Sequence, residues 1–88
     1  MAGFLGQIPE EVDELAGLLE RKSSELETTV SEITSKLGST TWRGNDRERF
    51  EGNWTGTISA NLRTAANQLS EAAQDARRNA QQQREASA

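Results

Sequence analysis

The chain has 88 residues and neither cysteine nor histidine, so it is one small domain without disulfides, without the usual general base and without the usual zinc ligand. Only 33% of its residues are apolar and its net charge is −4, which leaves room for a thin core and argues against the basic face that nucleic-acid phosphates require. No apolar run is long enough to span a membrane, and the opening MAGFLGQIPEE lacks the basic region and apolar length of a cleavable signal peptide.

Charge is unevenly spread. Residues 1–37 carry eight acids and three bases, and residues 38–88 carry six acids and seven arginines. The two halves attract one another weakly at most, and solvated helix faces account for most of these charges.

Pro9, the only proline, marks the start of a first helix, because a missing N–H costs nothing in the first turn. Glu10, Glu11, Asp13 and Glu14 follow at the positive end of the helix dipole, where acids are favourable. Ile8, Val12, Leu15, Leu19, Leu26, Val30, Ile33 and Leu37 recur at steps of three and four, with Lys22 filling one rung and Leu18 widening the stripe. The predicted helix covers about residues 9–37, and Gly38 reads as its stop.

A turn over residues 38–45 follows. The second helix is predicted over about residues 46–84, opened by a capping box of Asn45 and Glu48. Its stripe runs Phe50, Trp54, Ile58, Leu62, Ala65, Leu69, Ala72, Ala76 and Ala80, large at first and then mostly alanine. Arg77, Arg78 and Arg84 read as partners of the negative helix end. So short a link makes antiparallel neighbours. The fold class is all-α: one antiparallel two-helix hairpin, about 45 Å long. If helix 1 runs out level with residue 75, the last dozen residues project past it.

Such a hairpin buries its stripes only in part. Two hairpins packed into a four-helix bundle seal them, so a dimer is expected. The stripe assigned to the core and the dimer contact is Val12, Leu15, Leu19, Leu26, Val30, Ile33, Leu37, Ile58, Leu62 and Leu69.

The aromatic residues gather around the turn. Trp42-Arg43-Gly44 forms a W-x-G at the hairpin tip, and Phe50 and Trp54 follow one turn apart. Trp42 is placed to plug the gap between the helix ends, and Gly44 to permit a positive φ or a close backbone approach. Together with the opening GFLGQIPEEVDELA, the chain length and the missing signal peptide, this pattern resembles the WXG family across essentially the whole chain. These are the small early-secreted-antigen-like proteins of the type VII, or ESX, secretion system.

The resemblance implies a homodimer or a heterodimer with another WXG-type protein, and secretion without a cleavable signal. It also implies recognition by the secretion ATPase through the W-x-G end and a signal on the partner's tail. The family's export signal, Y-x-x-x-D/E after helix 2, is degenerate here. The chain has no tyrosine, and Gln81 stands at the aromatic position with Glu85 four residues on. No catalytic residue, cofactor or metal is expected. Membrane insertion is disfavoured by the negative charge and by the alanines on the lower half of helix 2.

Overall fold

The computed structural model describes residues 6–87. Of the opening that carries the family resemblance, Gly3, Phe4 and Leu5 lie outside the described residues. Helix α1 spans Pro9–Ser39 and α2 spans Asn45–Asn53. A single π-helical turn, Trp54–Ile58, joins α2 to α3, Ser59–Ser87. The two arms make an elongated antiparallel hairpin measuring 68 × 17 × 13 Å. Its radius of gyration is 19.6 Å, against about 12 Å for a compact domain of this length. Nearly every residue is therefore close to the surface, and burial depends on one narrow seam.

Pro9 opens α1 as the sequence suggests, and the Ile8 carbonyl accepts the N–H groups of Glu11 and Val12 at 3.0 and 3.2 Å. The far end differs from the expectation. Gly38 lies inside the helix, which continues to Ser39. Hydroxyls supply the stop in its place. Ser39 Oγ and Thr40 Oγ1 both donate to the Lys36 carbonyl, and the Thr40 N–H donates to the Leu37 carbonyl. These groups satisfy carbonyls that the helix end leaves open.

The capping box is also displaced. Gly44 is the N-cap of α2, with no side-chain cap, and Asn45 is already helical. Gly44 has φ 111°, in the region that favours glycine, and this conformation turns the chain into α2.

The seam is not the stripe of large side chains. On α1 the buried residues are Ala16, Ser23, Val30 and Leu37, one every seventh position. On α3 they include Ser59, Ala66, Ala73 and Ala80, again every seventh. Ser23 Oγ donates to the Ala66 carbonyl at 2.6 Å and fixes the register. In that register Val30 lies level with Ser59, Ala16 with Ala73, and Pro9 with Ala80. The overhang is therefore about half of the dozen residues expected from a partner level of residue 75. The core tapers from Trp54, Leu37 and Val30 near the tip, with Leu62 packed against them, through Ser23 and Ala66 to Ala16, Ala73, Ala80 and Gln83 towards the open end. Small residues let helix backbones approach closely, so the seam is narrow as well as thin.

The π turn explains why the second stripe rotated. The Ser59 N–H bonds to the Trp54 carbonyl, five residues back. One inserted residue turns everything downstream by about 100° relative to an unbroken helix. Trp54 and Ser59 both face the seam, whereas Ile58, the expected rung, points outward. Ala65 and Ala72 give way to Ala66 and Ala73 for the same reason.

Candidate partner face and hairpin tip

Antiparallel helices that meet along every seventh residue have two flanks. Positions four after the seam fall on one flank, and positions three after it fall on the other. The first flank is charged. Arg77 donates to both oxygens of Glu20, one contact at 3.2 Å, and Arg84 Nη2 donates to Asp13 Oδ2 at 2.6 Å. These two arginines thus bridge the helices instead of serving the helix end. Arg78 does stay local, paired with Asp75 three residues back. The hydrogen bonds from Arg77, helped by its charge, hold the Glu20 carboxyl below its usual range against an opposing effect of desolvation. The Arg77 guanidinium is raised in return.

The opposite flank is apolar. It carries Val12, Leu19, Leu26 and Ile33 from α1, with Leu62, Leu69 and Ala76 from α3. Ile8 and Leu15 border it on α1, and Ile58, Ala65 and Ala72 border it on α3. Of the stripe assigned from sequence, Val30 and Leu37 are buried, and Val12, Leu19, Leu26, Leu62 and Leu69 are half-buried. Leu15, Ile33 and Ile58 are exposed, Leu15 at 50%. Large aliphatic side chains thus line one side of a hairpin whose own seam uses small ones. Exposed apolar side chains grouped on one face in this way are of the kind that mark interaction sites.

At the tip, Trp54 and Trp42 part company. Trp54 is only 5% exposed and packs with Val30 and Leu37, and its Nε1 donates to Thr34 Oγ1 at 3.0 Å. Trp42 is 37% exposed, so it does not plug the helix ends as expected. It lies tilted on Phe50, with ring centroids 5.4 Å apart and planes at 48°. Arg47 Nη1 donates to the Trp42 carbonyl at 3.1 Å, tying the bend to α2. Together Ile33, Lys36, Leu37, Thr40, Trp42 and Phe50 line an open apolar cleft of about 240 Å³. The cleft opens on the apolar flank, where Ile33 and Lys36 lie.

Gln81 and Glu85, at the degenerate signal position, are exposed on the last turns of α3, and Gln81 Nε2 donates to Glu85 Oε1 at 3.3 Å. Among the described residues, no three His, Cys, Asp or Glu side chains gather to hold a metal, and no helix is long and apolar enough to cross a membrane.

Sequence reasoning missed the seam residues Ala16, Ser23, Ser59, Ala66 and Ala73, and the bridging Asp13, Glu20, Arg77 and Arg84. The seam did have a signal: Ala16, Ser23, Val30 and Leu37 recur strictly every seventh position, the spacing of a helix–helix contact. No family model, curated protein or solved structure matches the chain.

Proposed function

We propose that this chain is a non-enzymatic helical-hairpin binding module of the WXG type, either a type VII secretion substrate or the dimer partner of one. One observation carries the reading. A W-x-G sits at the tip of an antiparallel hairpin whose large aliphatic side chains are uncovered along one flank. A free-standing hairpin gains nothing from exposing Ile8, Leu15, Ile33 and Ile58. A second hairpin laid on that flank makes a four-helix bundle and removes them from water.

Catalysis has no support in this arrangement. The tip cleft is apolar apart from Lys36 and Thr40, and Glu20 and Asp13 are tied to Arg77 and Arg84 in ion pairs on the other flank. The same chemistry bears on export. Gln81 offers no aromatic face, and it bonds to Glu85 on an exposed helix surface. This chain therefore leaves either with a tyrosine-bearing partner or by a signal other than Y-x-x-x-D/E.

The test is expression of a tagged chain in a host that runs a type VII system, with and without its ATPase. Appearance in the culture supernatant that is lost with the ATPase supports the reading. Retention in the lysate in both strains overturns export and favours a second reading, an adaptor hairpin that stays inside the cell. The missing tyrosine is the observation behind that alternative.

A further inference from the structure

We propose that the tip cleft is a binding site for a small amphiphilic anion, an apolar chain of about eight carbons that ends in a carboxylate. The site is complete within one hairpin, so it goes beyond the partner reading above and does not depend on it.

The cavity sets the body of the ligand. Its walls come from three parts of the chain: Ile33 and Leu37 from α1, Thr40 and Trp42 from the bend, and Phe50 from α2. At roughly 30 Å³ for each water-sized group, a cleft of about 240 Å³ takes about eight such groups. The walls stand in place before a ligand arrives. Leu37 is packed with Val30 and Trp54, Trp42 leans on Phe50, and Arg47 holds the Trp42 carbonyl. Binding therefore orders little of the protein, and it removes from water the rings of Trp42 and Phe50, which are 37% and 41% exposed.

The polar atoms of the cleft set the head group. The Thr40 hydroxyl already donates to the Lys36 carbonyl, and Lys36 supplies the one charge on the lining. Among the described residues the Lys36 ammonium has no ion-pair partner, whereas Arg47 and Arg49 at the same tip are paired with Glu51 and Asp46. An unneutralised cation at the edge of an apolar cavity favours a chain with a negative end and disfavours the same chain with a positive end. The groove beside Gln7, Ile8, Glu11, Val12 and Leu15 is also largely apolar, but it carries an acid and no cation. The two requirements meet at the tip.

The chain has two tryptophans, one on the cleft and one in the core, so fluorotryptophan labelling gives the full chain two fluorine NMR signals. Trp42→Phe identifies the cleft signal. Octanoate should move that signal to saturation with a dissociation constant of about a millimolar, and the signal of Trp54, which is 5% exposed, should stay in place. Octyltrimethylammonium, the same chain with the opposite charge, should bind about fivefold more weakly. Lys36→Gln should lower octanoate affinity about threefold and draw the two ligands together. Ile33→Glu sets a carboxylate on the cleft wall at a residue already 37% exposed, and it should abolish octanoate binding with the circular-dichroism spectrum unchanged.

A shift that grows without saturating, equal movement of both signals, or equal binding of the two charges by the wild-type chain would each overturn the site. So would unchanged octanoate affinity in Lys36→Gln, or full binding by Ile33→Glu. The titrations need no secretion machinery. Their failure leaves the secretion reading standing, and retention of the chain in the lysate leaves the site standing.

Discussion

Replacing Trp54 by alanine should damage the hairpin far more than replacing Trp42, although Trp42 is the residue that the tip motif singles out. Trp54 is 5% exposed and sits with Val30, Leu37 and Leu62 in the part of the seam that, among the described residues, is built from large side chains. Truncating a buried tryptophan costs about 3–5 kcal/mol. Loss of the bond from Nε1 to Thr34 Oγ1 falls within that loss, and Thr34→Val, which leaves the indole N–H unpaired, should cost about 1–3 kcal/mol alone. Trp42, at 37% exposure, keeps much of its ring in water, so Trp42→Ala should cost roughly 1–2 kcal/mol.

For a chain of this size each kcal/mol shifts the melting temperature by about 4–8 °C. Trp54→Ala should therefore melt at least about 12 °C below wild type, and Trp42→Ala about 4–16 °C below it, the smaller drop of the two at any one value of the conversion. Circular dichroism at 222 nm reads both, at one fixed chain concentration because partner binding shifts the midpoint. A Trp54→Ala midpoint within a few degrees of wild type, or above that of Trp42→Ala, would refute the assignment of the tip core to Trp54.

Three further outcomes follow from the same geometry. Ala73→Leu wedges the seam where Ala73 is fully buried and should lower stability by about 1–3 kcal/mol, whereas Ala72→Leu, one residue away and exposed, should change the thermal midpoint little. Glu20 is held below its ordinary range in the folded chain, so its contribution is complete above about pH 4.3 and is lost as the pH falls through the depressed folded value. Thermal melts between neutral pH and pH 3 should therefore show a smaller acid-dependent loss in Glu20→Gln than in wild type, and equal losses would contradict the Arg77 pairing. Gly44→Val forces a branched residue to φ 111° in open space, so it should cost about 1–3 kcal/mol of backbone strain with no steric clash, against almost nothing for Arg43→Ala, as compared by thermal melts.

The helices and the bend were legible because their signals are local. Pro9 opens α1 wherever the chain is placed, and Gly44 supplies a backbone angle that few other residues adopt cheaply. Gly38 misled because glycine is tolerated inside a helix, and Ser39 and Thr40 close this one with their hydroxyls. The π turn left no local mark, since Trp54–Ile58 reads equally well as ordinary helix. The reading of Arg77 and Arg84 failed for a different reason. An arginine near a helix end has a generic role in sequence, and only the neighbouring helix brings Glu20 and Asp13 within reach.

The amino-acid order alone determined that this protein is two helices joined at a tryptophan–glycine bend, and that it carries more aliphatic surface than one hairpin can hide. Periodicity reports that a helix has an apolar side, and on α1 that side is two adjacent stripes wide. Only the tertiary structure decided which stripe faces inward. The π turn rotated α3 so that alanines met the Ala16–Leu37 row, Ser23 locked the register on the Ala66 carbonyl, and large residues such as Leu15, Ile33 and Ile58 remained outside.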